Sequence, residues 1–198
     1  YKGYTTMKVK TKKEVFFEES LKLINEKGFK GTTLRDIAQK LNFEAPNVYN
    51  YIDSKQSLLE SYISEITKEF HGAIDNVMAS SYSPEEKIRL VIAKHVQMAV
   101  NKPYQLALLE NDWRHLKEPG LGKYIDARKS YMNKVISIIE DGIELGEFRA
   151  VNVEILAFTL LSSLRWLFRI IAVEESEINP IDLEKQVVEF IFMGIGKE

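Results

Sequence analysis

Apolar residues recur at intervals of three and four along nearly the whole chain, and that period decides the fold class. Phe17, Leu21 and Ile24 stand at i, i+4 and i+7. Leu34, Ile37, Ala38 and Leu41 keep the same spacing, and Leu58, Leu59, Tyr62, Ile63, Ile66 and Phe70 mark one side of a longer segment. A helix turns once per 3.6 residues, so this spacing gathers the apolar groups on one face, whereas a half-buried strand needs strict alternation. No stretch alternates convincingly and no segment repeats. The punctuation agrees. Gly28 stands where a C′ residue would close the first segment, and Thr33-Leu34-Arg35-Asp36 carries a Thr-x-x-Asp capping pattern. Asp53 and Ser54 offer caps for a helix running to about residue 78. Pro84, Pro103, Pro119 and Pro180 stand near the starts of further segments. Gly146 ends another, and Asn152 can cap the one after it. The expectation is an all-α chain of about nine helices.

Residues 155–173 test whether those helices lie in water or in a membrane. The stretch is strongly apolar, but Arg165 and Arg169 sit inside it, four apart on one helical face. Two arginines near the middle of a span are costly, so a buried helix with one polar edge fits better. The first thirteen residues are polar and basic, without the apolar run of a secretory leader. The chain has no cysteine, so a disulfide framework and thiolate chemistry are excluded. A cytoplasmic protein is expected.

The most specific local pattern lies in residues 33–55. Two short helices, 33–40 and 45–50, are joined only by Leu41-Asn42-Phe43 and their neighbours, with Asn42 in the turn, where tolerance of the left-handed region is useful. So tight a turn makes the helices cross steeply, with Ile37, Ala38, Leu41, Phe43 and Val48 between them. The outer side of the second helix carries Asn47, Tyr49 and Asn50, polar groups suited to base edges and phosphates in a major groove. An αα-hairpin with an ordinary polar face has the same spacing. Charge favours the DNA reading. The net charge is −2, but residues 1–56 hold eleven Lys and Arg against seven Asp and Glu, and residues 57–198 hold sixteen against twenty-two. A basic head on an acidic body suits a chain that meets phosphate at one end. The expected organisation is a three-helix helix-turn-helix domain over 1–56 and a larger helical domain over 57–198.

Thr32-Thr33-Leu34-Arg35-Asp36-Ile37-Ala38, followed by Val48-Tyr49-Asn50-Tyr51-Ile52-Asp53-Ser54-Lys55-Gln56-Ser57-Leu58-Leu59, resembles without a gap the N-terminal signature of TetR-family (tetracycline-repressor-like) transcriptional regulators. The likeness runs over about residues 14–62, including Phe17 and the Gly28-Phe29 turn. It implies a homodimeric repressor that binds a pseudo-palindromic, double-stranded DNA operator and is released by a small molecule. It also implies that Ala45, Pro46 and Asn47 open the recognition helix and that Tyr49 and Lys55 touch phosphates. Thr33 falls where the preceding helix meets phosphate, and Arg35 and Asn50 complete the candidate DNA-contacting set. The chain departs from the family at three places, which often carry Gly at position 42, Ser at 44 and a small residue at 46. Glu44 would repel a phosphate it faced, and Pro46 removes one N–H that could be offered to DNA.

The rest of the chain resembles the family's variable regulatory domain. The stretch from Tyr131 to Phe148 is loosely similar to the long seventh helix of many members, some of which bind acyl-CoA thioesters. The family usually dimerises through its last two helices, here 152–174 and 180–195. Ile155, Phe158, Leu161, Leu164, Val187, Val188, Phe190, Ile191 and Ile195 make both too apolar for a small monomer. A pocket among the middle helices would draw on His95, Met98, Tyr104, Trp113, Tyr131, Met132 and Trp166, since methionines and aromatics line adaptable apolar cavities. Glu110, Arg114 and Arg165 are candidate polar groups at its edge. Each of these residues could equally be core or surface. An apolar or acyl-type effector is expected, with no cofactor and no metal. Enzymatic chemistry finds no support: no nucleophile elbow, phosphate loop or zinc pattern occurs, and Asp112 with His115 is one weak copy of a di-metal repeat that needs two. The rival is an architectural or protein-regulated DNA-binding factor without a small ligand, which would share every residue of the head and differ in having a fully packed body.

Overall fold

A reciprocal cap opens the first described helix. Thr11 accepts from the Glu14 backbone while the Glu14 carboxylate accepts from the Thr11 N–H, a reciprocal pair that opens α1 (Lys12–Gly31). The computed structural model describes residues 11–172 and 179–195. The expected leader-free N-terminus up to residue 10 and the expected helix end at residues 173–174 lie outside the described residues. Among those described there are nine α-helices, two short 3-10 helices and no β-strand. The chain is all-α. No helix of the described residues is long and apolar enough to cross a membrane.

The chain forms two units, one ending at Leu58 and one beginning at Leu59. The first holds α1, α2 (Leu34–Lys40) and a 3-10 helix, Ala45–Asn50. Gly28 takes φ 75°, a left-handed conformation available without cost only to glycine, and one more turn follows it to Gly31. The face that α1 buries is centred on Phe16, Ser20, Leu21, Leu23 and Ile24, with Phe17 only half-buried against Phe16. The expected register through Phe17 therefore shifts by one residue, because Phe16 stacks at 4.7 Å on Tyr51, beyond the 3-10 helix. Ile37, Ala38, Val48 and Ile52 complete this core. Each large apolar side chain fully buried here contributes about 1.5–3 kcal/mol.

The second unit comprises α3 from Leu59 onward (α3 spans Lys55–Met78), α4 (Pro84–Asn101), α5 (Pro103–Asp112), a 3-10 turn at Trp113–His115, α6 (Gly120–Glu144), α7 (Val153–Arg165), α8 (Leu167–Ala172) and α9 (Pro180–Ile195). The prolines act as expected: Pro84, Pro103 and Pro180 are first residues of helices, and Pro119 precedes α6. Ser83 opens α4 through a reciprocal pair with Glu86, and Asn152 accepts from the Ile155 N–H to open α7. α4 is the hub, packing on α5, α6, α7, α8 and α9. Ile88, Val91, Ile92 and Val96 meet Val135, Ile138 and Ile139 of α6 and Leu160, Leu164 and Leu167 in one core.

Two features of this unit differ from the periodicity or exceed it. The single helix expected over 152–174 is broken at Trp166, which hands over from α7 to α8 through an Arg169 N–H to Trp166 carbonyl bond of 2.8 Å. The break lets Leu164, Leu167 and Phe168 all face inward while Trp166 stays out. Beyond α6, the Glu147 and Phe148 N–H groups both donate to the Gly142 carbonyl, at 2.8 and 3.0 Å. That turn folds the Phe148 ring onto Gly142, where a β-carbon would stand 2.2 Å from the ring.

Candidate nucleic-acid interface and effector cavity

Thr33 caps α2. Its hydroxyl accepts from the Asp36 N–H at 3.1 Å, and its own N–H donates to the Asp36 carboxylate at 2.7 Å. The Thr33 hydroxyl donating to the Asp36 carboxylate at 2.6 Å, the Thr33 N–H bond and Lys27 at 3.1 Å hold the Asp36 carboxyl down at about 2. α2 ends at Leu41, and Asn42 turns the chain with φ 54°, the left-handed geometry its position predicts. The next helix is 3-10, with Asn47 N–H donating to Glu44 C=O at 2.8 Å and Tyr51 N–H to Val48 C=O at 3.0 Å. Pro46, second in this short segment, has no backbone N–H to give, and short runs of this kind commonly take the tighter coil. Val48 is its one fully buried side chain, packed opposite Ile37 and Ala38. Ala45, Pro46, Asn47, Tyr49 and Asn50 are all exposed, as are Glu44, Arg35 and Thr33. Five of the candidate DNA-facing residues are thus open along one short rod, with Thr33 and Arg35 exposed at the start of α2.

Lys55 is held more firmly. Its Nζ donates to the carbonyls of Phe29 at 2.7 Å and Thr32 at 2.8 Å, and lies 4.4 Å from the centroid of the Phe29 ring. Those carbonyls belong to the end of α1, where a cation also meets the negative end of the helix dipole. An ammonium has three N–H donors, so one remains for a phosphate.

In the second unit a cavity of ≈ 150 Å³ lies between α3, α4, α5, α6, α7 and α8. Its wall is mainly apolar, with Phe70, Leu106, Leu109, Met132, Phe158, Leu161 and Phe168 prominent. Phe70, His95 and Tyr131 form an aromatic corner, with ring centroids 4.7 Å (Phe70–His95), 5.9 Å (His95–Tyr131) and 6.0 Å (Phe70–Tyr131) apart. His95 Nδ1 lies 2.9 Å from the Val91 carbonyl. Burial in apolar surroundings pushes its pKa down to about 4, with the carbonyl bond opposing and Lys94 adding to the fall. Burial likewise raises the Tyr131 phenol. At the cavity's edge Arg165 Nε meets Glu110 at 2.9 Å, and Arg128 and Tyr124 also line the wall.

Of the expected pocket residues the cavity brings together His95, Glu110 and Tyr131, with Met132 and Arg165. Met98 is packed in the interior and Trp166 is 49% exposed; neither lines the cavity, and nor do Tyr104, Trp113 and Arg114. Trp113 is one ring removed, 5.5 Å from Tyr124, with Arg114 4.4 Å over its face. Sequence reasoning missed Tyr124, Arg128, His71 and Phe158. A signal existed: Tyr124, Arg128, Tyr131 and Met132 stand at i, i+4, i+7 and i+8, one face of α6. What selected that face from the others was the packing of α3 and α7 beside it.

An exposed polar rod braced by a tight turn in one unit, and an apolar cavity in the other, define a helix-turn-helix DNA-binding regulator. Residues 16–62 match the model of the bacterial regulatory proteins of the tetR family, and residues 81–169 match a tetracyclin repressor-like C-terminal domain. The chain belongs to the TetR family, and it is a transcriptional regulator, not an enzyme. It is 22% identical over 147 residues to the transcriptional repressor KstR2 of Rhodococcus jostii, covering 73% of this chain and 72% of that one. Its fold is similar to that of the ketosteroid transcriptional regulator KstR2 of Mycobacterium tuberculosis, with a TM-score of 0.89, 18% identity, and coverage of 96% and 98%. It is also similar to AibR solved with isovaleryl coenzyme A and operator DNA, with a TM-score of 0.75, 16% identity, and coverage of 91% and 96%.

Proposed function

We propose that this chain is a cytoplasmic, ligand-released repressor that binds a pseudo-palindromic operator as a homodimer. The observation that carries the reading is the apolar cavity with Glu110, Arg165, His95 and Tyr131 in its wall, in a chain that also bears a helix-turn-helix. A factor without a small ligand has no use for such a space, which costs packing energy when empty. At ≈ 150 Å³ the cavity suits a benzene-sized apolar molecule. A larger effector has to displace lining side chains, and the Glu110–Arg165 pair is the contact it would open. The likeness to the repressor KstR2, a ketosteroid transcriptional regulator, and to AibR, which was solved with isovaleryl coenzyme A and operator DNA, supports a repressor with an apolar or acyl-type effector.

For DNA, Asn47 is assigned to base edges, as the exposed amide nearest the opening of the 3-10 helix. Tyr49, Asn50, Thr33 and Arg35 are assigned to the backbone and groove around it, together with the remaining N–H of Lys55. Dimerisation is assigned to α7 and α9, which carry Ile155 (67% exposed) and Phe158 (58%), and Phe190 (75%) and Met193 (78%). Large apolar groups concentrated on two helices mark a surface that another subunit covers.

The test joins both halves. Binding-site selection on wild type yields the operator, and Asn47→Ala should then lose about 1–3 kcal/mol on it and blur one base position. Small apolar compounds are titrated into the operator complex, with release and tryptophan emission followed together. An unchanged motif at unchanged affinity in Asn47→Ala removes its base-reading role. The absence of any compound that alters emission or release removes the sensor.

A further inference from the structure

The cavity's polar groups restrict what can occupy it, and the histidine restricts it most. A carbonyl oxygen only accepts, so the 2.9 Å contact between His95 Nδ1 and the Val91 carbonyl places the ring proton on Nδ1. Nε2, on the other edge of a neutral imidazole, is then a bare acceptor. Among the described residues neither Nε2 of His95 nor the hydroxyl of Tyr131 has a protein hydrogen-bond partner. Both side chains line the cavity. Among the described residues the one buried side-chain oxygen or nitrogen sealed off without a partner is Ser20 Oγ, in the other unit. His95 Nε2 and Tyr131 Oη are therefore not sealed in the packing, and both belong to side chains of the cavity wall. His71, the third polar ring at this corner, donates through Nε2 to the Ala127 carbonyl at 3.0 Å, which leaves its Nδ1 as the acceptor.

Resting on the reading of this cavity as an effector site, we propose that it selects compact apolar ring compounds that carry a hydroxyl or N–H donor, which His95 Nε2 accepts. The aromatic corner of Phe70, His95 and Tyr131 supplies flat walls for a ring. The single lone pair on Nε2 then sets which way that ring enters. An isostere with a methyl group in place of the donor leaves Nε2 buried without a partner, and a site built to bond one group rejects the analogue that lacks it. The Tyr131 hydroxyl can accept from the same donor or donate to an oxygen bearing it, so it serves phenols and alcohols better than plain hydrocarbons. His95 remains neutral at ordinary pH because its surroundings disfavour the charged ring, which keeps the acceptor available.

The probes are p-cresol and p-xylene, which share a shape and differ in one hydroxyl against one methyl. Binding to the full chain is followed by calorimetry and by tryptophan emission. p-Cresol is expected to bind about ten-fold more tightly than p-xylene, although p-xylene is the more apolar. His95→Phe should bring the two compounds level or reverse their order. Tyr131→Phe, which keeps the ring, should narrow the gap by less. Equal binding to wild type, or a preference that survives His95→Phe in a variant with native circular dichroism, overturns this assignment alone. Binding of neither compound, with no response to any other apolar molecule, overturns the sensor reading and this assignment with it.

Discussion

Lys55→Met separates bracing from DNA contact at the residue where the family's likeness and the geometry pull apart. Methionine keeps an unbranched stem of similar reach but removes the charge and three donors. The wild-type ammonium makes two bonds, 2.7 and 2.8 Å, to carbonyls at the end of α1 and sits over the Phe29 ring. Hydrogen bonds to a charged group contribute about 1.5–3 kcal/mol each when buried, and a cation over an exposed ring about 0.5–1. The side chain is half-buried, and the freed carbonyls can turn to water, so about 2 kcal/mol in all is the reasonable sum. That corresponds to about thirty-fold more frequent opening of the α1–α2 region. Amide hydrogen exchange on the DNA-free protein reads this directly, and the amides at Thr32 and in α2 should show it. A phosphate contact predicts a different signature, a fall of about 0.9 in the slope of log affinity against log salt. The bracing role predicts faster exchange without DNA and a slope change clearly smaller than that. Unchanged exchange with a full unit's loss of slope would refute the argument and leave Lys55 as a phosphate ligand only.

Two other substitutions probe the body. Gly142→Ala improves helix propensity by about 1 kcal/mol but drives a β-carbon into the buried Phe148 ring, an overpacking that costs up to about 3 kcal/mol, so urea unfolding at fixed protein concentration should show a net loss of about 2 kcal/mol. A gain in stability would show that the turn after α6 is soft. Phe190→Glu places a charge on the most exposed apolar face of α9 and should leave a folded monomer that no longer holds two half-sites about one turn apart. Sedimentation of the wild type as a monomer at micromolar concentration removes the premise.

What the residues settled alone are the features decided within one turn of helix. Thr33 capping with Asp36, Asn152 capping α7, the left-handed Asn42 and Gly28, and the prolines at helix starts each involve partners at most four positions away. Their energetics are therefore written in adjacent letters. The apolar period fixed the helices for the same reason, and the helix-turn-helix was legible because its two arms and turn span fewer than twenty residues. Tertiary packing decided the rest. The carbonyls that hold Lys55 lie 26 and 23 positions before it. Phe16 rather than Phe17 was chosen as the buried ring by Tyr51, far along the chain. The break at Trp166 follows from where Leu164 and Phe168 must point, not from any breaker residue. The cavity is the extreme case: six helices contribute to it, and Met98 and Trp113 were as plausible by type as His95 and Tyr131. Residue type says which side chains can line a space, but an empty volume exists only between helices that have already packed, so only the folded unit could say which of them do.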